Sequence, residues 1–142
     1  MSGPTSLSER RRPVISFIIQ FFRHPSELAT ICERLQDPRV EIIVHADSHT
    51  AEDEEALARA ERSHGAVVIR SDNLHEIRGY NIAASRARGQ LLVFSQDDRM
   101  PPPASEQPSW VERVLAVFRR GWLPRLGALG LHRGGECLRH GL

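Results

Sequence analysis

Four short apolar runs, at positions 14–22, 40–45, 66–70 and 90–95, alternate with segments whose apolar residues recur every three to four positions. This alternation constrains the fold more than any other feature of the chain. Strand, helix, strand at such spacing predicts right-handed βαβ units and a mainly parallel sheet with helices on both faces. The first run is β-branched and aromatic almost throughout, the pattern of a strand covered on both sides. Leu28, Ile31, Cys32 and Leu35 then fall on one helix face, which Asp37 and Pro38 bring to an end.

The later segments repeat the scheme. Thr50 and Asp53 are spaced for a capping box ahead of a helix over 52–64, with Gly65 placed to terminate it. Ser71, Asp72 and Asn73 open a loop before a helix over 79–88, whose face carries Ala83, Ala84 and Ala87 and which Gly89 is expected to close. After the fourth strand come Ser95, Gln96, Asp97 and Asp98, then a loop marked by Pro101, Pro102, Pro103 and Pro108. Ser109 and Glu112 form an N-cap pair for a last helix bearing Val111, Val114, Leu115 and Phe118, with Gly121 at its end.

Composition narrows the functional classes. With 142 residues and 40% hydrophobic content the chain suits one compact domain. Its 19 basic and 18 acidic residues nearly cancel, so no overall field favours nucleic acid or an anionic membrane. Every basic residue is arginine, which removes Schiff-base and P-loop lysines. Cys32 and Cys137 are too far apart for a C-x-x-C pair, and the seven histidines are scattered without a tight ligand pattern, reading as surface or loop residues. Residues 1–13, with the cluster Arg10, Arg11 and Arg12, read as a flexible tail. No run approaches the ~20 apolar residues of a membrane span, and neither a signal peptide nor a transmembrane helix is seen, which leaves the cytoplasm as the default location.

In an open parallel sheet, ligands bind beyond the carboxyl ends of the strands. Those ends are here 20–23, 45–48, 70–73 and 96–99, a polar and acidic set without a glycine-rich turn. A phosphate at this edge therefore needs a metal ion or arginines. The missing glycine fingerprint argues against a dinucleotide oxidoreductase, and Gln20-Phe-Phe-Arg is not the acidic cluster of a phospho-acceptor receiver domain.

The same residues carry a family resemblance. Val14-Ile-Ser-Phe-Ile-Ile and Glu41-Ile-Ile-Val-His-Ala-Asp-Ser resemble the first two strands of family 2 glycosyltransferases, which have the GT-A fold. Asn73, Arg78, Asn81, Ala87 and Gly89 resemble the segment leading to that family's D-x-D strand, and Gln96-Asp97-Asp98 stands where the D-x-D signature belongs. The resemblance extends over 14–135, leaving 136–142 as a C-terminal tail, and it departs from the family at Gln20, Ala46 and Gln96.

The resemblance implies a Rossmann-like GT-A sheet, incomplete at its C-terminal side, that binds a nucleotide-diphosphate sugar through a divalent metal, Mn or Mg. Asp98, with Asp97 beside it, is assigned to the metal. Asp47 is assigned to the nucleobase, Gln96 to a ribose hydroxyl, Arg78 to the diphosphate, Asn73 to the same nucleotide-binding set, and Asn81, also in that set, to anchoring the loop before the D-x-D-like strand. Four of these have an ordinary alternative: Asp98 as a turn cap, Asp47 as a loop-starting residue, Arg78 and Asn81 as solvated helix positions. The acceptor is open, and no catalytic base is assigned, since Glu136 sits in a glycine-rich tail. The family's acceptor-binding half is expected to be largely missing, so that weak donor binding, no transfer by the chain alone and association through apolar surface at Trp122, Leu126 and Leu129 are expected. The competing reading is an inactive remnant that only binds.

Overall fold

The computed structural model describes residues 12–119. The chain divides into two compact units after Ala104. The first holds strands β1 (Ile15–Phe21), β2 (Val40–Ala46), β3 (Val67–Arg70) and β4 (Leu91–Gln96), with helices α1 (Pro25–Arg34), α2 (Ala51–His64) and α3 (His75–Arg86) between them. The second holds helix α4 (Trp110–Arg119).

The four strands form one all-parallel sheet in the order β3-β2-β1-β4. This is the expected Rossmann-like α/β arrangement. Every residue of β1 is buried, as its unbroken apolar run predicts. The chain steps from β1 to β2 to β3 in one direction, then returns across the sheet to β4. Right-handed crossovers therefore place α1 and α2 on one face and α3 on the other. On the α1/α2 face these two helices pack side by side and bury Leu28, Ile31, Cys32, Leu57 and Ala60. Under α3, Ile18, Ile43, Ile69 and Ala83 form a core cluster, with Tyr80, Ile82, Ala84 and Ala87 packed around it.

Local chemistry explains most of the boundaries. Thr50 and Asp53 form the expected capping box, each side chain bonded to the other's main-chain N–H at 3.1 and 3.0 Å. Gly65 ends α2 in the left-handed region at φ 65°. In the second unit Ser109 and Glu112 cap α4 reciprocally at 3.0 and 3.2 Å, and Trp110, Val111, Val114 and Leu115 are buried. Gly121, Trp122, Leu126, Leu129 and Glu136 lie outside the described residues.

Two expectations are corrected at α3. The helix begins at His75, not at Gly79, because its first turn is capped from another element by Asp47. It ends at Arg86 with Ala87 already extended at ψ 140°, so Gly89 does not close it. Gly89 serves a close approach instead. A Cβ there would lie 2.6 Å from the Ser16 nitrogen, and the Gly89 N–H donates to Ser16 Oγ at 2.8 Å. Glu41 completes this junction, accepting from Ser16 Oγ and from the main chain and guanidinium of Arg88.

Candidate functional site

The strand order reverses between β1 and β4, which makes the gap beyond their carboxyl ends the topological switch point. β1 delivers Phe22, Arg23 and His24 to this gap, and β4 delivers Gln96, Asp97 and Asp98. Asp97 turns inward. It is buried, and its carboxylate accepts the Phe22 N–H at 2.6 Å and faces His24 Nδ1 at 3.1 Å. Burial pushes its pKa up, against the Phe22 and His24 contacts that favour the carboxylate. The same carboxylate raises the pKa of His24. Because His24 Nδ1 faces two acceptors, Asp97 and the Phe22 carbonyl, it carries the proton and leaves Nε2 with the lone pair in the neutral ring.

Asp98 is the outward member of the pair. Its side chain is 50% exposed, and the Arg99 guanidinium lies 3.8 Å from its carboxylate. Gln96 is exposed and donates its amide to Glu76 at 3.0 Å, while Tyr80 anchors α3 to β4 through the Ser95 carbonyl at 3.0 Å. Phe22 is exposed beside these residues, with the Arg23 guanidinium 4.7 Å over its ring.

Farther along the edge, Asp47 follows β2 and is buried. It accepts the Leu74 N–H at 2.9 Å, the His75 N–H at 3.0 Å and the Ser71 hydroxyl at 3.1 Å. Burial opposes its ionisation, but these donors outweigh it and its pKa falls below the ordinary aspartate value. The turn it holds is strained: Asn73 at φ 53° and His75 at φ 62° are non-glycine residues in the left-handed region, as is Arg23 at φ 64° across the edge.

Parallel strands thus bring Asp47, Asn73, Gln96, Asp97 and Asp98 to one edge of the sheet. Arg78 is exposed in the first turn of α3, whose N-terminus lies at that edge. Asn81, six residues beyond the helix start, is carried about 9 Å down the helix away from the edge.

Three residues to which the sequence assigns no role at the site help build the edge: His24, His45 and Ser71. His45 corrects the reading of the histidines as surface residues, since it is fully buried within β2. The signal was its place in an apolar strand, because a polar residue covered on both sides must find partners. His24 and Ser71 carried no comparable signal, since their partners are distant in sequence.

No group of three or more His, Cys, Asp or Glu side chains placed to cage a cation occurs among the described residues. This donor set still suits Mg²⁺ or a similar hard cation, which one or two carboxylates hold together with substrate phosphates and water. Asp98 supplies such a carboxylate, whereas Asp97 is committed to the main chain and His24. No described helix is long and apolar enough to cross a membrane.

The family model described as glycosyl transferase family 2 matches residues 16–122. A mannosyltransferase, PcManGT from Pyrobaculum calidifontis in complex with GDP-Man and Mn²⁺, is similar in structure, with a TM-score of 0.57 and 18% identity. The match covers 66% of this chain and 30% of that one. S. aureus TarS aligns with a TM-score of 0.59 and 14% identity over 73% of this chain and 19% of its own. No curated protein matches the chain.

Proposed function

As the chain belongs to glycosyl transferase family 2, we propose that its sheet edge binds a nucleotide-diphosphate sugar with a divalent cation, Mn or Mg, for transfer of the sugar to an acceptor. The observation that carries this reading is the switch point itself, where β4 ends in a buried Asp97 and an exposed Asp98. The solved mannosyltransferase that shares the fold holds GDP-Man and Mn²⁺, which supports the choice of ligand.

The residues divide the work along the edge. β3 and β4 are separated by three strand spacings, about 14 Å, room for a base, ribose and diphosphate laid across the strand ends. Asp98 holds the cation, and Arg78, in the first turn of α3, balances diphosphate charge. Gln96 offers a neutral amide to a ribose hydroxyl, and Asn73 faces the nucleotide from the β3 side. Asp47 already accepts three hydrogen bonds, leaving about one lone-pair position of its four for the nucleobase. Asn81 is assigned to the α3 segment that supports these groups. A divalent cation there would neutralise the charge that develops on the diphosphate as the bond to the sugar breaks. Asp97 keeps the β1 and β4 ends joined while this happens, and His24 holds Asp97.

A second reading, a domain that binds the donor without transferring it, draws on Gln96, which brings no charge to the cation where the family signature has an acid. Calorimetric titration of the chain with a panel of nucleoside diphosphates, with and without Mn²⁺, tests the proposal. Binding that requires Mn²⁺ is expected, and its absence across the panel would overturn it. A transfer assay with the donor that binds best then separates transferase from binding module.

A further inference from the structure

Asp47 is the last member of a buried polar chain that donor binding does not by itself require. His45 sits within β2 with no exposed surface. Its Nδ1 lies 2.8 Å from Gln20 Oε1 on β1, and its Nε2 lies 2.7 Å from Ser71 Oγ beyond β3. Ser71 Oγ is in turn 3.1 Å from Asp47 Oδ1, and Asp47 takes the Leu74 and His75 N–H groups that open α3. The chain therefore ties together β1, β2, the turn after β3 and the start of α3.

Proton counting gives this chain a direction. The Asp47 carboxylate accepts only, so the single Ser71 hydroxyl proton goes to it. Ser71 Oγ must then accept from His45, which puts a proton on Nε2; burial keeps the ring neutral, so Nδ1 carries the lone pair and the Gln20 amide meets it through its NH2 group, the flip-related orientation of the same side chain. His45 is thus the donor that orients Ser71 toward Asp47. Helix α3 presses directly on this pair, because a Cβ at Gly79 would collide with the His45 ring and Gln20 Oε1. Left-handed backbone at Asn73 and His75 persists only where the surroundings over-determine it, and Asp47 with Ser71 supplies that restraint.

We propose that His45 is a positioning residue for the nucleotide edge: through Ser71 it fixes Asp47, and through Asp47 it holds the strained turn that carries Asn73. Its functional consequence rests on the donor-site reading above, while the positioning itself does not.

The test compares His45→Gln, which keeps an N–H within reach of Ser71, with His45→Asn, which keeps reach only to Gln20. Amide hydrogen exchange at Leu74 and His75 is measured in the full chain, together with the melting temperature and the affinity for GDP and UDP in Mn²⁺. The two variants should melt alike. His45→Asn should speed exchange at both amides by about tenfold, the scale of one ordinary hydrogen bond, and weaken nucleotide binding by a similar factor, while His45→Gln stays near wild type. Ser71→Ala, outside the core, cuts the same link and should reproduce the Asn pattern even if a His45 variant fails to fold. Equal exchange at Leu74 and His75 in wild type and Ser71→Ala, or in the Gln and Asn variants, would overturn the proposal. If the exchange pattern holds and wild type binds neither nucleotide, positioning stands and the donor reading falls.

Discussion

A methyl group at Gly79 would meet the buried His45 ring, and one at Gly89 would lie 2.6 to 2.7 Å from atoms of Ile15 and Ser16. The two substitutions should not cost the same. Gly79→Ala gains about 1 kcal/mol of helix propensity against an overpacking cost of about 3 kcal/mol, because the His45 ring it meets is buried and held at both nitrogens, so a net loss of about 2 kcal/mol is expected. Gly89 is outside the helix and has no such gain, and two of its three nearest atoms belong to main chain that cannot rotate away. Gly89→Ala should therefore lose about 3 kcal/mol. Urea denaturation of both variants checks the order; equal losses would contradict it. At this scale the sequence was informative where chemistry is local and silent where it is not. Asp98 is singled out by its match to the last acid of the D-x-D signature, which says nothing of Asp97 turning inward to Phe22 and His24. Asp47 was picked as a site residue, while its hold on Leu74 and His75 joins positions more than 25 residues apart.

Among the elements, strand and helix existence followed directly from periodicity, and both capping pairs formed where Thr50–Asp53 and Ser109–Glu112 are spaced for them. Thr50→Ala should cost about 1 kcal/mol by removing the acceptor for the Asp53 N–H, measurable as a lower urea midpoint. Both ends of α3 differ from the expected bounds because its cap comes from Asp47, just after β2, and its exit is shaped by packing on β1. The junction that receives this exit centres on Glu41. Burial raises its pKa, but Ser16 and Arg88 outweigh burial and hold it below the ordinary glutamate value. A carboxylate with a lowered folded pKa stabilises fully above the unfolded value of about 4.3 and loses that contribution as pH falls through the folded value. Glu41→Gln should therefore cost about 2 kcal/mol at neutral pH and flatten the acid limb of the stability profile. An acid limb as steep as that of wild type would contradict the assignment.

At the scale of the whole molecule, the sheet order places the switch point between β1 and β4, and the chain spans 30% and 19% of the two solved structures it resembles. The parallel sheet was legible because strand and helix patterns alternate strictly, whereas strand order was not, since no local pattern records which strand the chain returns beside. The central claim is that Asp98 holds a divalent cation for a nucleoside diphosphate at this switch point. Calorimetric titration of GDP and UDP in Mn²⁺ into wild type, Asp98→Ala and Asp97→Ala tests it most directly. Asp98 is half exposed, so its replacement should leave the melting temperature unchanged, yet abolish Mn²⁺-dependent binding, with Asp97→Ala weakening it less. Equal affinity of wild type and Asp98→Ala in Mn²⁺ would contradict the account.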